Sequence, residues 1–302
     1  MDVLRTPDER FADLPGFGYE PHYAEIPSGD GVSLRMAWVE DGPADADPVL
    51  LLHGEPSWSF LYRRMIPVLA AAGHRVIAPD MIGFGRSDKP AATADHSYAQ
   101  HVEWMRAFVV DALDLQRITL VGQDWGGLIG LRLVAEHPER FARLVAANTG
   151  LPTGDQPMPE IWHQFRAVIQ SAPTIEVGRF VQAGCARPVS DEVRAAYDAP
   201  FPYESYKAGP RAMPGLVPTT PDDPASEANR RAWTALTSSS IPALVAFSDR
   251  DPITGAMAPI LQSVLPGARG REHPVIGNAG HFLQEDAGEE LAAHIVQFIA
   301  ST

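Results

Sequence analysis

The sequence predicts an α/β fold: a mostly parallel sheet with crossover helices, interrupted by an inserted helical lid. Three observations predict it. Short β-branched or aliphatic runs alternate with helical patterns along most of the chain. A Pro-rich stretch interrupts that alternation in the middle: residues 151–224 carry 12 of the 28 prolines. A strand runs into a glycine-flanked turn at Val121-Gly122-Gln123-Asp124-Trp125-Gly126-Gly127, after which a helical pattern begins.

The elements follow in order. Residues 20–27 and 33–40 flank Ser28-Gly29-Asp30-Gly31 and predict an antiparallel hairpin. Val49–His53, Arg75–Asp80, Arg117–Gly122, Arg143–Asn148 and Ala243–Ser248 read as buried strands, with a shorter one near Arg271–Ile276. Helices are expected at 59–72, 97–114, 126–137 and 285–300. Within the insertion, helical patches at 159–171, 174–184 and 190–197 are separated by turns such as Ala199-Pro-Phe-Pro-Tyr203. That segment also carries Trp162, Phe165, Phe180, Phe201, Tyr203 and Tyr206, too many aromatics for a linker. The expected division is a first part of the core over 1–150, a lid over 151–230 and a second part of the core over 231–302.

Composition excludes several classes of function. The 302 residues hold 24 Lys and Arg against 38 Asp and Glu, a net charge of −14. Only Lys89 and Lys207 are lysines, so the chain lacks the basic footprint that nucleic acid or an anionic membrane surface requires. No apolar run approaches the roughly 18 residues of a membrane span. The acidic start MDVLRTPDERF has no apolar signal core, which predicts a cytoplasmic protein. Cys185 is the one cysteine, which excludes an internal disulfide and a cysteine zinc cage. No metal or other cofactor is expected.

The chemistry starts at Gly122-Gln123-Asp124-Trp125-Gly126. It has the form of a nucleophile elbow, with aspartate where serine is common. The flanking glycines make room for a strained central residue. The plainer alternative is an aspartate capping the next helix. Two further segments, Val49–Pro56 and Ala78–Ser87, are strands followed by turns, in the order and at the distances such an elbow implies. Together the three segments resemble the α/β-hydrolase fold over most of 20–150 and 235–302.

In that fold the acid and then the histidine follow the nucleophile. His281, in Asn278-Ala279-Gly280-His281-Phe282 before the last helix, is the candidate base. His53 belongs to the turn after a strand and reads as structural; His74, His137 and His294 read as ordinary histidines on or beside helices. Asp251 in Phe247-Ser248-Asp249-Arg250-Asp251-Pro252 is the candidate acid, and Asp249 is expected to hold the turn. After strand 143–148 stands Asn148, which cannot act as a carboxylate.

An aspartate is ionised at neutral pH and needs no base to attack a saturated or strained carbon. The product is an alkyl-enzyme ester, which leaves the histidine to activate water. The backbone N–H groups of Glu55 and Trp125 are the expected oxyanion hole. The Trp125 indole is a donor only, which suits a departing anion, and Trp162 in the lid is the expected second donor. Trp38, Trp104 and Trp233 read as packing, and Trp58 as lining the pocket.

His53-Gly-Glu-Pro-Ser-Trp58, Gly122-Gln-Asp-Trp-Gly-Gly127, Asp251 and Gly280-His281-Phe282 resemble a haloalkane dehalogenase. The closest likeness is to the subfamily with an acid after the late strand and two halide-binding tryptophans. Ala199-Pro-Phe-Pro and Tyr206-Lys-Ala-Gly209 extend the likeness into the lid, while 151–175 match poorly. The resemblance implies hydrolysis of a carbon–halogen bond in a small alkane to alcohol and halide, without a cofactor. Its partners are a small halogenated substrate, water and halide. It makes Asp124 the nucleophile, His281 the base, Asp251 its partner, and Trp125 and Trp162 the halide donors.

The closest rival is an epoxide hydrolase, whose lid tyrosines supply an acid; Tyr197, Tyr203 and Tyr206 are available. That family resembles His-Gly-Phe-Pro and His-Asp-Trp-Gly, where this chain has Glu55 and Gln123. A fluoroacetate dehalogenase needs carboxylate-binding arginines beside the oxyanion loop, and Arg63 and Arg64 lie downstream. A non-catalytic receptor of the same fold commonly lacks a triad member, whereas candidates for all three stand here.

Overall fold

The computed structural model describes residues 1–29 and 31–302. Its main sheet has seven strands: β1 (His22–Pro27), β2 (Ser33–Asp41), β3 (Pro48–Leu52), β4 (Arg75–Pro79), β5 (Ile118–Gln123), β6 (Phe141–Ala147) and β7 (Ala243–Val245). They lie in the order β1-β2-β4-β3-β5-β6-β7. β1 and β2 form the expected hairpin, and β2 is antiparallel to β4. Every other neighbouring pair is parallel. The hairpin turn includes Asp30, which lies outside the described residues. All five residues of β3, Pro-Val-Leu-Leu-Leu, are buried, as expected for a central strand covered on both faces.

Helices α1 (Ile66–Ala71), α2 (Tyr98–Arg106), α3 (Trp125–Glu136), α9 (Met257–Val264) and α10 (Leu283–Ala300) belong to the sheet-bearing part of the chain. The helix expected over 59–72 is divided into a 3-10 turn at Ser59–Tyr62 and α1. Pro67 explains the new start, because proline lacks an N–H and fits the first turn of a helix rather than its interior. α2 starts on Ser97, whose hydroxyl accepts the Gln100 N–H at 3.2 Å, and continues beyond Arg106 as a π-helix over Ala107–Ala112. The late strand expected over 243–248 is also divided. β7 ends at Val245, and Phe247–Ser248 pairs instead with Val275–Ile276. The Ser248 N–H is taken by the Asn148 side chain at 2.9 Å, which draws the chain over the end of β6.

Between β6 and β7 the chain forms the helical lid: α4 (Glu160–Ser171), α5 (Val177–Gly184), α6 (Asp191–Asp198), α7 (Ala208–Leu216) and α8 (Ser226–Leu236). α7 and α8, like α9, lie outside the expected helices. α7 carries Pro210 in its first turn, where proline is tolerated, and Pro214 inside, so composition alone reads it as a turn. α8 packs along α3, with Arg132 donating to Asn229 at 3.1 Å.

Contacts distant in sequence pin the lid to the sheet-bearing part. Thr6 donates its hydroxyl to the Pro200 carbonyl at 2.6 Å. The Tyr197 hydroxyl donates to Glu285 at 2.6 Å, and the Arg63 guanidinium grips both oxygens of that carboxylate at 2.7 Å. Trp58 does not line the pocket. It is fully buried among Phe11, Phe17 and Phe60, and its indole N–H is spent on the Ala196 carbonyl at 3.2 Å. No helix among the described residues is long and apolar enough to cross a membrane.

Candidate active site

The turn between β5 and α3 holds Asp124 at φ 50°, ψ −125°, a strained conformation for a residue with a side chain. The backbone packs so closely here that a Cβ on Gly126 would lie 2.0 Å from the Leu52 carbonyl oxygen. One on Gly122 would lie 2.7 Å from Gly127 Cα. Only glycine fits both places, and that is why the elbow is legible as a motif. Although Asp124 directly precedes α3, its side chain does not cap the helix. Its Oδ1 accepts the Glu55 N–H at 2.9 Å, and its Oδ2 lies 3.5 Å from His281 Nε2.

His281 stands on the loop before α10, with Nδ1 3.0 Å from Asp251 Oδ2. Asp251 also accepts the backbone N–H groups of Ile253 at 2.9 Å and Thr254 at 3.3 Å, and pairs with the Thr254 hydroxyl. Burial would raise the Asp251 carboxyl. His281 and these donors outweigh it and hold the group well below the usual carboxylate range. Burial would likewise lower His281, yet the charges of Asp251 and Asp124 push it up to about 10. Asp249 lies apart from the histidine and accepts the Ala279 N–H at 3.1 Å, holding the turn. Asn148 supports the same loop, donating to the carbonyls of Gly280 and His281 at 3.0 Å each. His53 is buried between the Gly54 carbonyl and the Met81 N–H, both at 3.0 Å, as a structural histidine.

Asp124, Glu55, Trp125, Trp162 and His281 all border one cavity of about 1010 Å³ beneath the lid. The indole N–H groups of Trp125 and Trp162 find no acceptor among the described residues, although both rings are almost fully buried. Trp233 also borders the cavity instead of serving only as packing, but its N–H is given to the Leu151 carbonyl at 2.7 Å. Of the candidate lid tyrosines, Tyr197 spends its hydroxyl on Glu285 and Tyr203 is exposed to solvent; neither these two nor Tyr206 borders the cavity. Arg63 is likewise committed to Glu285. No cluster of His, Cys, Asp or Glu suited to a metal ion occurs among the described residues.

Three further side chains support the site without a motif that marks them in the sequence. The Gln123 amide reaches His281 Nε2 and the His281 carbonyl, both at 3.2 Å. The Glu55 side chain is buried beside Asp124, and burial together with that charge pushes its carboxyl well above its ordinary value. Asp286 accepts three backbone N–H groups at 2.8 Å, from Gly280 in the histidine loop and from Ala186 and Arg187 in the lid. The signal for Asp286 was the acidic pair Glu285-Asp286 just after the histidine. Replacing Asp286 with Ala strands those donors at roughly 1–3 kcal/mol each. Urea denaturation is therefore expected to show a loss of about 3 kcal/mol or more, and a loss below about 1 kcal/mol would mean that water replaces the carboxylate.

A family model described as the α/β hydrolase fold matches residues 47–288. A haloalkane dehalogenase of Psychrobacter cryohalolentis is 55% identical over 299 residues, covering 99% of this chain and 98% of its own. One from Mycobacterium marinum is 52% identical over 298 residues, covering 99% and 100%. The solved tetrameric structure of haloalkane dehalogenase DpaA from Paraglaciecola agarilytica superposes with a TM-score of 0.90 at 39% identity, over 97% of each chain. A family model over most of the chain and relatives more than 50% identical along nearly its whole length show that the chain belongs to the haloalkane dehalogenases of the α/β-hydrolase fold.

Proposed function

We propose that this enzyme hydrolyses carbon–halogen bonds of haloalkanes to alcohol and halide through an alkyl ester on Asp124. One observation carries the reading: the Asp124 carboxylate, free of any helix-capping bond, meets His281 and two uncommitted indole donors at a single cavity.

Asp124 Oδ2 attacks the halogen-bearing carbon; the new C–O bond forms as the carbon–halogen bond breaks, and the electron pair leaves with halide. The indole N–H groups of Trp125 and Trp162 receive that anion. Oδ1 stays the carbonyl oxygen of the ester, already on the Glu55 N–H. Esterification removes one of the two negative charges that raise His281, so its pKa falls, Nε2 gives up its proton to solvent, and the neutral imidazole becomes a base. Nε2 then takes a proton from water, and the hydroxide adds to the ester carbonyl. Asp251 stabilises the resulting imidazolium and holds its orientation. The tetrahedral oxyanion sits on the N–H groups of Glu55 and Trp125, then collapses to Asp124 and the alcohol. The balance is RX + H2O → ROH + X⁻ + H⁺.

The epoxide reading needs a proton donor at the cavity for an alkoxide, and the tyrosines proposed for that task lie elsewhere. The reading includes a cytoplasmic setting and the division at residues 150 and 230; α8 straddles the second of these positions.

Bromide is expected to quench tryptophan fluorescence saturably. Trp125→Phe and Trp162→Phe should each weaken that binding and slow chloroalkane turnover by about 10²-fold, the usual loss for one donor aimed at developing charge. Wild-type behaviour of Trp162→Phe would remove Trp162 from the halide site. Faster turnover of epoxides than of bromoalkanes by the wild-type enzyme would overturn the proposed reaction.

A further inference from the structure

We infer that the preferred substrates are haloalkanes with a long apolar body, of roughly eight carbons or more, whose far end reaches the mouth of the cavity. The inference rests on the dehalogenase reading and concerns which haloalkanes the site favours.

The cavity is too large for a butyl halide. At about 1010 Å³ it stands at the upper end of the range of roughly 300–1,000 Å³ that receives drug-sized ligands. Taking about 30 Å³ for a water-sized group, it has room for on the order of thirty. A four-carbon halide at the Asp124 end leaves most of that space, and most of the apolar lining, in contact with water.

The lining is mostly apolar, with Thr153, Gln156 and Thr254 as its neutral polar side chains. Apart from Glu55, Asp124 and His281 at the reacting end, the only ionic side chain among the described lining residues is Arg250. Along α4, Ile161, Phe165 and Val168 recur at the spacing of one helix face, and all three border the cavity. From Ile161 to Val168 the helix advances about 10 Å. Ile260 of α9 borders the same cavity. Ile161, Val168 and Ile260 are 41%, 51% and 45% exposed, so large apolar side chains face solvent while also belonging to the substrate cavity. Helices normally place polar residues on such positions. With C–C bonds of about 1.5 Å, an extended chain of about eight methylenes spans the same 10 Å. A long alkyl body covers these side chains; a short one leaves them wet.

Initial rates of halide release along the series 1-bromobutane to 1-bromooctane test this. Each methylene that moves from water onto apolar lining is worth about fourfold in kcat/KM. The expected rise from butyl to octyl is therefore about 10²-fold. A kcat/KM that peaks at butyl, or falls beyond it, overturns the inference while leaving the dehalogenase reading intact. Halide release from no member, 1-bromobutane included, rejects the dehalogenase reading itself. The double variant Val168→Ser, Ile260→Ser changes exposed positions and should lower the octyl-to-butyl ratio about tenfold. An unchanged ratio in a folded double variant means that the chain does not reach the mouth, and overturns the inference as well.

Discussion

Asp124→Ala is expected to abolish halide release, with a loss on the order of 10⁶-fold, the scale seen when a covalent nucleophile is removed. The variant should fold, since alanine removes a carboxylate that supports no helix cap and only one backbone N–H bond. The matched experiment uses His281→Gln. If the histidine acts only in hydrolysis, that variant still attacks the carbon and then stalls. One equivalent of bromide should appear in a burst, and mass spectrometry should find the alkyl group on Asp124. A folded His281→Gln protein that binds bromoalkane yet gives neither burst nor adduct would reject the ester mechanism.

Asp251→Asn is expected to lower kcat by about 10⁴-fold, by analogy with loss of the carboxylate that orients a catalytic imidazole. The amide leaves the geometry in place but neither fixes the tautomer nor stabilises the imidazolium. The same change has a signature in stability. In the wild-type protein His281 is raised from its ordinary value near 6.5 to about 10. Its contribution to stability is thus fully present below pH 6.5 and is lost as pH rises through about 10. Without the Asp251 charge the histidine is raised less, so the fall in Tm between pH 7 and 10 should shrink. Asp249→Asn, whose carboxylate bonds Ala279 and not the imidazole, should change kcat far less. The reverse ranking of the two variants would place the catalytic acid at Asp249.

Much of the candidate site was legible because its constraints are local. An elbow aspartate needs glycines two residues away on either side, since the Leu52 carbonyl and Gly127 leave no room for a Cβ. Gly122 and Gly126 therefore announce Asp124 within five residues. A buried parallel strand needs a continuous apolar run, so β3 and β5 stand out, and chain order then leads to His281. Asp251 and Asp249 likewise differ in their distance from the strand end.

Contacts between distant segments were a different matter. Trp58 and Trp233 look alike as sequence, yet the packing of Phe11, Phe17 and Phe60 buries one while the other borders the cavity. The Asp286 staple joins the histidine loop to lid residues about a hundred positions earlier, and no periodicity encodes such a bond. α7 was hidden by its prolines, whose cost depends on which turn of a helix they occupy. The apolar positions of α4 follow from its sequence, but whether they face a core, a cavity or solvent depends on what the lid covers. Short-range sterics and hydrophobic periodicity write the strand–elbow–helix unit into the sequence, and the chain order of the fold it resembles then singles out Asp251 and His281. Which indole donors stay uncommitted and how large the cavity is come from side-chain packing between segments far apart in the chain, which no local pattern encodes.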